Sequence, residues 1–178
     1  FHAFYTARME QLDHIQPHEG HKVLHKWERE CILQLIATQN VDGLHQTAGS
    51  QNVLELHGSI NHCRCATCGK MTSKLQFINR ENCSCGGALR PNVVLFGESL
   101  PEQAWAQSLT AIEQADVVLV IGTSLEVYPV NQLSAMTQGE TIFLNKDHVG
   151  AQHPFNVVIY GRALDGLVAM DRWMERMN

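Results

Sequence analysis

Four cysteines in two close pairs, Cys65-Ala-Thr-Cys68 and Cys83-Ser-Cys85, are the part of this sequence most plainly built for chemistry. Two such loops can set four sulfurs at the corners of a tetrahedron about 2.3 Å from a Zn²⁺ ion. Four thiolates saturate the ion and leave no position for water or substrate, so the expected role is a structural brace. Gly69 follows Cys68 and Gly86-Gly87 follow Cys85, small residues that let backbone N–H groups approach the sulfurs. The second pair is one residue tighter than usual, and His62 and Cys63 stand near enough to serve as substitute ligands. Cys31 lies apart, at the head of an apolar run, and reads as a small buried hydrophobe.

A second group of polar residues falls where apolar runs end. Asp116-Val117-Val118-Leu119-Val120-Ile121 stops at Gly122-Thr123-Ser124, Thr141–Leu144 stops at Asn145, and Val157–Tyr160 stops at Gly161. In open α/β sheets ligands bind outside the carboxyl ends of the strands, where Gly admits a ligand to the backbone and Ser, Thr or Asn can hydrogen-bond ribose or phosphate. A nucleotide-sized ligand is therefore expected. The plainer alternative is that Gly and Asn simply terminate strands.

The elements that must hold these residues follow from the spacing of apolar positions. Phe1, Phe4, Tyr5, Arg8 and Leu12 suit an amphipathic helix that ends before Pro17, and a second helix is expected over 21–30. Ile32 to Ala37 and Val53 to Leu56 read as short strands. From Gly58 to Arg90 the composition turns to Cys, Gly, Asn, Arg and Ser, the mark of an insert, and strand character returns over Pro91 to Phe96. Pro101 suits the first turn of a helix running to about Gln114, and the apolar run over 116–121 predicts a central parallel strand covered on both faces. A closing helix is expected from Ala163 to Met174. Strands alternating with helices predict an α/β fold with a doubly wound, Rossmann-like parallel sheet over 1–57 and 91–178 and a zinc-binding module over 58–90. Residues 1–30 have the small module as an alternative packing partner.

Composition narrows the function classes. The 178 residues, 44% of them hydrophobic, can bury one core and carry one small insert. A net charge of −5 with scattered basic residues provides no electrostatic footprint for nucleic acid or an anionic membrane. No apolar run approaches the roughly 20 residues of a membrane span, and a cytoplasmic protein is expected. Five of the six cysteines fall between positions 63 and 85, which favours metal over a disulfide scaffold.

Taken in order, Thr38-Gln39-Asn40-Val41-Asp42-Gly43-Leu44-His45, Glu55-Leu56-His57-Gly58-Ser59, the cysteine pairs, Arg90-Pro91-Asn92-Val93-Val94-Leu95-Phe96-Gly97-Glu98 and Gly122-Thr123-Ser124-Leu125-Glu126 resemble the sirtuin family of NAD-dependent protein deacylases. The resemblance covers nearly the whole chain. It implies NAD as co-substrate, structural zinc, and acylated lysine proteins or peptides as partners. In its terms His57 is the catalytic base, an imidazole able to take a proton from a ribose hydroxyl at neutral pH. Gln39, Asn40 and Asp42 match the nicotinamide-ribose pocket, although Asn and Asp also favour plain turns. Gly122, Thr123 and Ser124 match phosphate and ribose contacts, Asn145 an adenosine-ribose contact, and Gly161, Arg162 and Ala163 the adenine edge. Val94, Phe96 and Gly97 match the segment along which an acyl-lysine peptide is laid as an added strand. The implied reaction yields nicotinamide, O-acyl-ADP-ribose and free lysine.

Tyr5 and Arg8 stand three apart on one helix, and a Tyr-x-x-Arg pair in this region marks family members that remove succinyl or malonyl groups. Arg can fork a distal carboxylate while Tyr adds a hydrogen bond. Sirtuins also carry a Gly-Ala-Gly-x-Ser loop and a Pro-Asp-Phe-Arg segment near their start, and neither motif occurs in these 178 residues. The Phe1 start favours an upstream region over a naturally shortened, inactive chain. Two other functions stay open, an NAD hydrolase or ADP-ribosyltransferase on the same fold and a non-enzymatic acyl-peptide-binding module.

Overall fold

A computed structural model of the chain describes residues 1–148 and 155–177. In order these form α1 (His2–Leu12), α2 (Glu19–Arg29), β1 (Ile36–Thr38), α3 (Leu44–Thr47), β2 (Val53–Glu55), β3 (Gly58–Cys65), β4 (Met71–Thr72), α4 (Lys74–Ile78), β5 (Leu89–Val93), α5 (Glu102–Glu113), β6 (Val117–Ile121), a 3₁₀ turn (Val130–Ala135), β7 (Glu140–Asn145), β8 (Val157–Tyr160) and α6 (Ala163–Met177).

The parallel strands are present as expected, but among the described residues they belong to two sheets. β1 pairs with β2, and β6, β7 and β8 form a second sheet in that order, every pairing parallel. The register sets Ile121 against Leu144 and Asn145 against Tyr160, so Gly122, Asn145 and Gly161 leave the sheet along one edge. β6 lies at the side of its sheet rather than in a covered centre. Val117 is 51% exposed and the rest of the strand is half-buried.

Helix α2 shows how the sequence secures this part. His18 precedes it and accepts the Gly20 N–H on its ring nitrogen, Glu19 sits in the first turn, and Lys26 and Arg29 sit in the last, each charge opposing the helix dipole. Gly20, Val23, Leu24 and Trp27, at three- and four-residue steps, are buried against α6 and the sheet, with Leu144 and Leu167 beneath them. Trp27 donates its indole N–H to Asp171 at 2.8 Å, and Lys26 pairs with the same carboxylate.

Past α2 the chain departs from expectation. Cys31 takes a left-handed backbone with φ 58° and is exposed, and the Ile32 and Leu33 N–H groups turn back to the Trp27 carbonyl. This ending of the helix consumes the head of the apolar run, so the strand begins at Ile36 and Cys31 is no core residue.

The third sheet is small and antiparallel, ordered β4-β3-β5. The strand expected from Pro91 is β5, and it ends at Val93. A register shift in β3 between Ser59 and Cys63 sets Pro91 opposite Cys63 at an irregularity, where a residue without an N–H is tolerated. Ser73 and Gln76 close a reciprocal capping box on α4. Ile60, Cys63, Phe77, Leu89 and Val93 form the core, and α1 joins it through Met9, which is fully buried. The burying face of α1 is Tyr5, Met9 and Leu12; Phe1 and Phe4 remain more than 60% exposed. α1 thus packs with the small sheet, while α2 packs with the parallel one.

Candidate functional site

The four cysteine sulfurs from the β3 end and the 83–85 loop converge. All four Sγ atoms lie within 4.8 Å of one another, with Cys65–Cys85 at 3.6 Å and Cys68–Cys83 at 3.7 Å. Four sulfurs about 2.3 Å from a central zinc are separated by about 3.8 Å at the tetrahedral angle, so the donor set fits the ion. The N–H groups of Cys68 and Thr67 approach Cys65 Sγ at 3.5 and 3.3 Å and hold that thiol down to about 6. A side chain at Gly87 would place its Cβ 2.7 Å from Cys65 Sγ, so the cradle requires glycine there. Cys63 faces the core beneath the small sheet and His62 is exposed; neither belongs to the group.

His57 occupies the short turn between β2 and β3, where the parallel and antiparallel sheets meet. Gly58 fixes this turn with φ +72°, and a Cβ there would fall on the Asn92 carbonyl oxygen. The ring Nδ1 lies 3.3 Å from the Gln39 carbonyl oxygen. A carbonyl can only accept, so this contact makes Nδ1 the donor, and in the neutral ring Nε2 is then the nitrogen open to accept a proton. The backbone carbonyl of His57 in turn accepts the Val94 N–H at 2.9 Å. One residue therefore joins the loop after β1 to the segment after β5.

Gln39, Asn40 and Asp42 follow β1 directly. The buried Thr38 hydroxyl accepts the Asn40 N–H, the Asp42 carboxylate accepts the Leu44 N–H at the start of α3, and Asn61 of β3 donates to the Asp42 carbonyl at 2.9 Å. Asp42 thus does perform the turn-forming task that its residue type favours, with the rest of its carboxylate uncommitted by that bond. Asn61 was not among the expected residues. Its clamp crosses nineteen positions of sequence, and nothing in the local pattern signals it.

At the other sheet edge, Gly122 has φ +63° with open space where a Cβ would stand, and the Thr123 hydroxyl accepts the Leu125 N–H. Ser124 is exposed. Asn145 is buried at the end of β7, with its amide donating to the Asp147 carbonyl and its own carbonyl accepting the Gly161 N–H. Arg162 is exposed and Ala163 opens α6. These residues therefore share one carboxyl edge, while Gln39, Asn40, Asp42 and His57 group at the carboxyl end of the β1–β2 pair.

Val94 is half-buried, and Phe96 is fully exposed in a turn closed by the Glu98 N–H on the Leu95 carbonyl. Tyr5 packs against the small-sheet core, with the Phe1 ring tilted against it and the Phe4 ring edge-on, while Arg8 is exposed on the same helix.

A sequence model described as the Sir2 family matches residues 1–129. An NAD-dependent protein deacetylase 1 of Geobacillus kaustophilus is 51% identical over 134 residues, which are 75% of this chain and 55% of that protein. Against three such curated relatives the chain spans between 54% and 63% of their lengths. Among solved structures, a Sir2 homologue in complex with NAD superposes with a TM-score of 0.92 at 33% identity, covering 99% of this chain and 72% of that one. Sir2Tm bound to a propionylated peptide superposes equally well, at 27% identity, over 98% of this chain and 78% of that one.

Proposed function

Because the chain belongs to the Sir2 family, we propose that it provides the zinc module and most of the cofactor-binding edge of an NAD-dependent protein-lysine deacylase. NAD, when bound, supplies the ADP-ribosyl group that receives the acyl chain, with nicotinamide as its leaving group. The observation that carries this reading is the placement of His57, whose ring is held by the Gln39 carbonyl while its backbone holds Val94.

The chain's own residues then divide the work. His57 Nε2 accepts a proton from a ribose hydroxyl, its Nδ1 proton being fixed by Gln39. Gln39, Asn40 and Asp42 line the nicotinamide-ribose end. Gly122, Thr123 and Ser124 meet phosphate and ribose, Asn145 the adenosine ribose, and Arg162 with Ala163 the adenine edge. The aligned strand ends and the open space over Gly122 suit a ligand lying along them. Val94, Phe96 and Gly97 carry the acyl-lysine peptide, and an exposed Phe96 is suited to covering an aliphatic lysine stem. Cys65, Cys68, Cys83 and Cys85 hold zinc as a brace.

Acyl-lysine peptide and NAD mixed with the purified protein should release nicotinamide in proportion to deacylated peptide. His57→Tyr is expected to lower that rate by more than about a hundredfold, the scale of a lost general base, with zinc content unchanged. Nicotinamide release without peptide would instead favour an NAD hydrolase, and full activity in His57→Tyr would remove the assigned base.

Tyr5 and Arg8 support a finer reading, a preference for negatively charged acyl groups such as succinyl or malonyl. Arg8 is exposed and α1 is packed on the small sheet that also carries the peptide segment, so a distal carboxylate has a guanidinium available on the same body. Equal turnover of succinyl- and acetyl-lysine peptides would dismiss that preference.

A further inference from the structure

The segment from Val94 to Gly97 lies outside regular strand, yet it is held firmly, and the residue that holds it is Glu98. The Glu98 carboxylate accepts both terminal nitrogens of Arg90, one of them at 3.1 Å, together with the Leu95 N–H at 3.0 Å. The Glu98 N–H closes the turn on the Leu95 carbonyl at 3.0 Å. Arg90 donates further to the Val93 carbonyl at 2.8 Å and to the Pro91 carbonyl. A second guanidinium, that of Arg64, stands directly across from Arg90 in the β3–β5 ladder and approaches the same carboxylate at 3.7 Å.

Two like charges opposite one another in a ladder repel, and Glu98 is the carboxylate that lies between them. Arg90 is largely buried, its side chain only 14% exposed, which strengthens a bidentate ion pair relative to one on the open surface. Arg90, followed by the Leu95 N–H, holds the Glu98 carboxyl down to about 2. At neutral pH the pair is therefore permanently charged. Its geometric effect is to tie both ends of the Leu95–Glu98 turn to β5 and to β3, the strand that runs into Cys65.

We propose that Glu98 is a positioning residue for the acylated peptide, orienting the Val94–Gly97 segment through Arg90 and Arg64 without itself touching the reacting atoms. The inference rests on the reading of this segment as the peptide platform. It predicts a selective effect, because the cofactor residues at the ends of β1, β6 and β7 make no use of the ion pair.

The test is fluorescence anisotropy of a labelled acetyl-lysine peptide with wild type, Glu98→Ala and Glu98→Asp, beside the KM for NAD and the zinc content of each. Glu98→Ala is expected to weaken peptide binding roughly tenfold or more, the scale of a lost charge-assisted contact. Glu98→Asp, which keeps the charge, should recover part of that loss, while zinc content and the KM for NAD stay unchanged. Unaltered peptide affinity in Glu98→Ala would overturn the proposal, as would a parallel loss for peptide and NAD. Should Glu98→Ala lose its zinc, Arg90→Lys takes its place, keeping the charge but not the fork. It is expected to weaken peptide binding without altering the KM for NAD, and unaltered peptide affinity there would equally overturn the proposal. If wild type binds the peptide without peptide-dependent nicotinamide release, the deacylase reading fails and the affinity series still decides the role of Glu98. Absence of peptide binding by wild type overturns both.

Discussion

At the scale of single residues, His57 and Gly58 illustrate how much of the site depends on one turn. His57 presents its ring to Gln39 and its carbonyl to Val94 because the chain reverses at Gly58 with a backbone that only glycine adopts without strain. Gly58→Ala is expected to cost about 3 kcal/mol or more, combining a left-handed strain with a collision against the Asn92 carbonyl. Denaturant unfolding measures that loss, and deacylation should fall with it because His57 moves. Cys85→Ser tests the tight pair. One weaker donor in a four-sulfur site should lower zinc affinity sharply in a chelator competition, and retention of full affinity would show that the fourth ligand lies elsewhere.

At the scale of elements, the zinc loops do more than close on themselves. They end β3 and sit beside β5, whose core also receives Met9 of α1. Cys65 and Cys83 lie in the apolar cluster of Ile60, Phe77, Leu89 and Met9, so metal held by the four sulfurs would add its binding energy to the folding of that cluster. Stripping zinc with a chelator should therefore expose the amides of β3, β5 and α1 together in hydrogen exchange, while α2 and α6 stay protected. Independent survival of α1 would contradict the packing described above. The opposite pair of helices is joined by Asp171, which receives Lys26 and the Trp27 indole. Asp171→Ala should cost about 2 kcal/mol, because it leaves a largely buried indole N–H without its acceptor, read as a shift in the urea midpoint.

At the scale of the whole molecule, Gln39, Asp42 and His57 lie at the seam between the β1–β2 pair and the small antiparallel sheet, while Gly122, Asn145 and Gly161 lie along the edge of the β6–β8 sheet. The Val41 carbonyl accepts the Ile60 N–H and Asn61 holds the Asp42 carbonyl, so the loop after β1 is tied to the small sheet at two points, and His57 links the Gln39 carbonyl of that loop to Val94 beyond β5. Close to this seam His21 is buried with its ring 4.1 Å from that of His18 and 4.9 Å from that of His45. Burial, then the neighbouring His18 and His45, holds His21 down to about 4, against the pull of Asp42. His45 is lowered as well, again chiefly by burial.

Such a ring is neutral in the fold but takes a proton in the unfolded chain below about 6.5, so its share of stability is complete above that pH. The share is lost progressively as pH falls from about 6.5 to about 4. The loss attributable to His21 is about 2 kcal/mol at pH 5. Melting temperatures of wild type and His21→Gln across pH 7.5 to 5 check this, because acid release of zinc affects both and the difference in slope isolates His21. Parallel slopes would remove His21 as the cause. No described helix is long and apolar enough to cross a membrane.

What the sequence determined by itself was local in origin. Paired cysteines with small residues behind them specify a metal brace, and apolar runs ending in Gly, Thr, Ser or Asn specify strands with polar carboxyl ends. Each depends on neighbours a few positions away. Helix α2, expected over 21–30 and found over Glu19–Arg29, was legible for the same reason, its buried face lying within one short stretch of chain. Tertiary structure decided the rest. It set which body α1 joins, how far β6 is covered, and that Cys31 is exposed after a left-handed turn. It also showed that Asn61 clamps Asp42 and that Arg90 and Arg64 converge on Glu98. Those outcomes depend on register between strands and on partners many positions apart, and a periodicity carries no information about either.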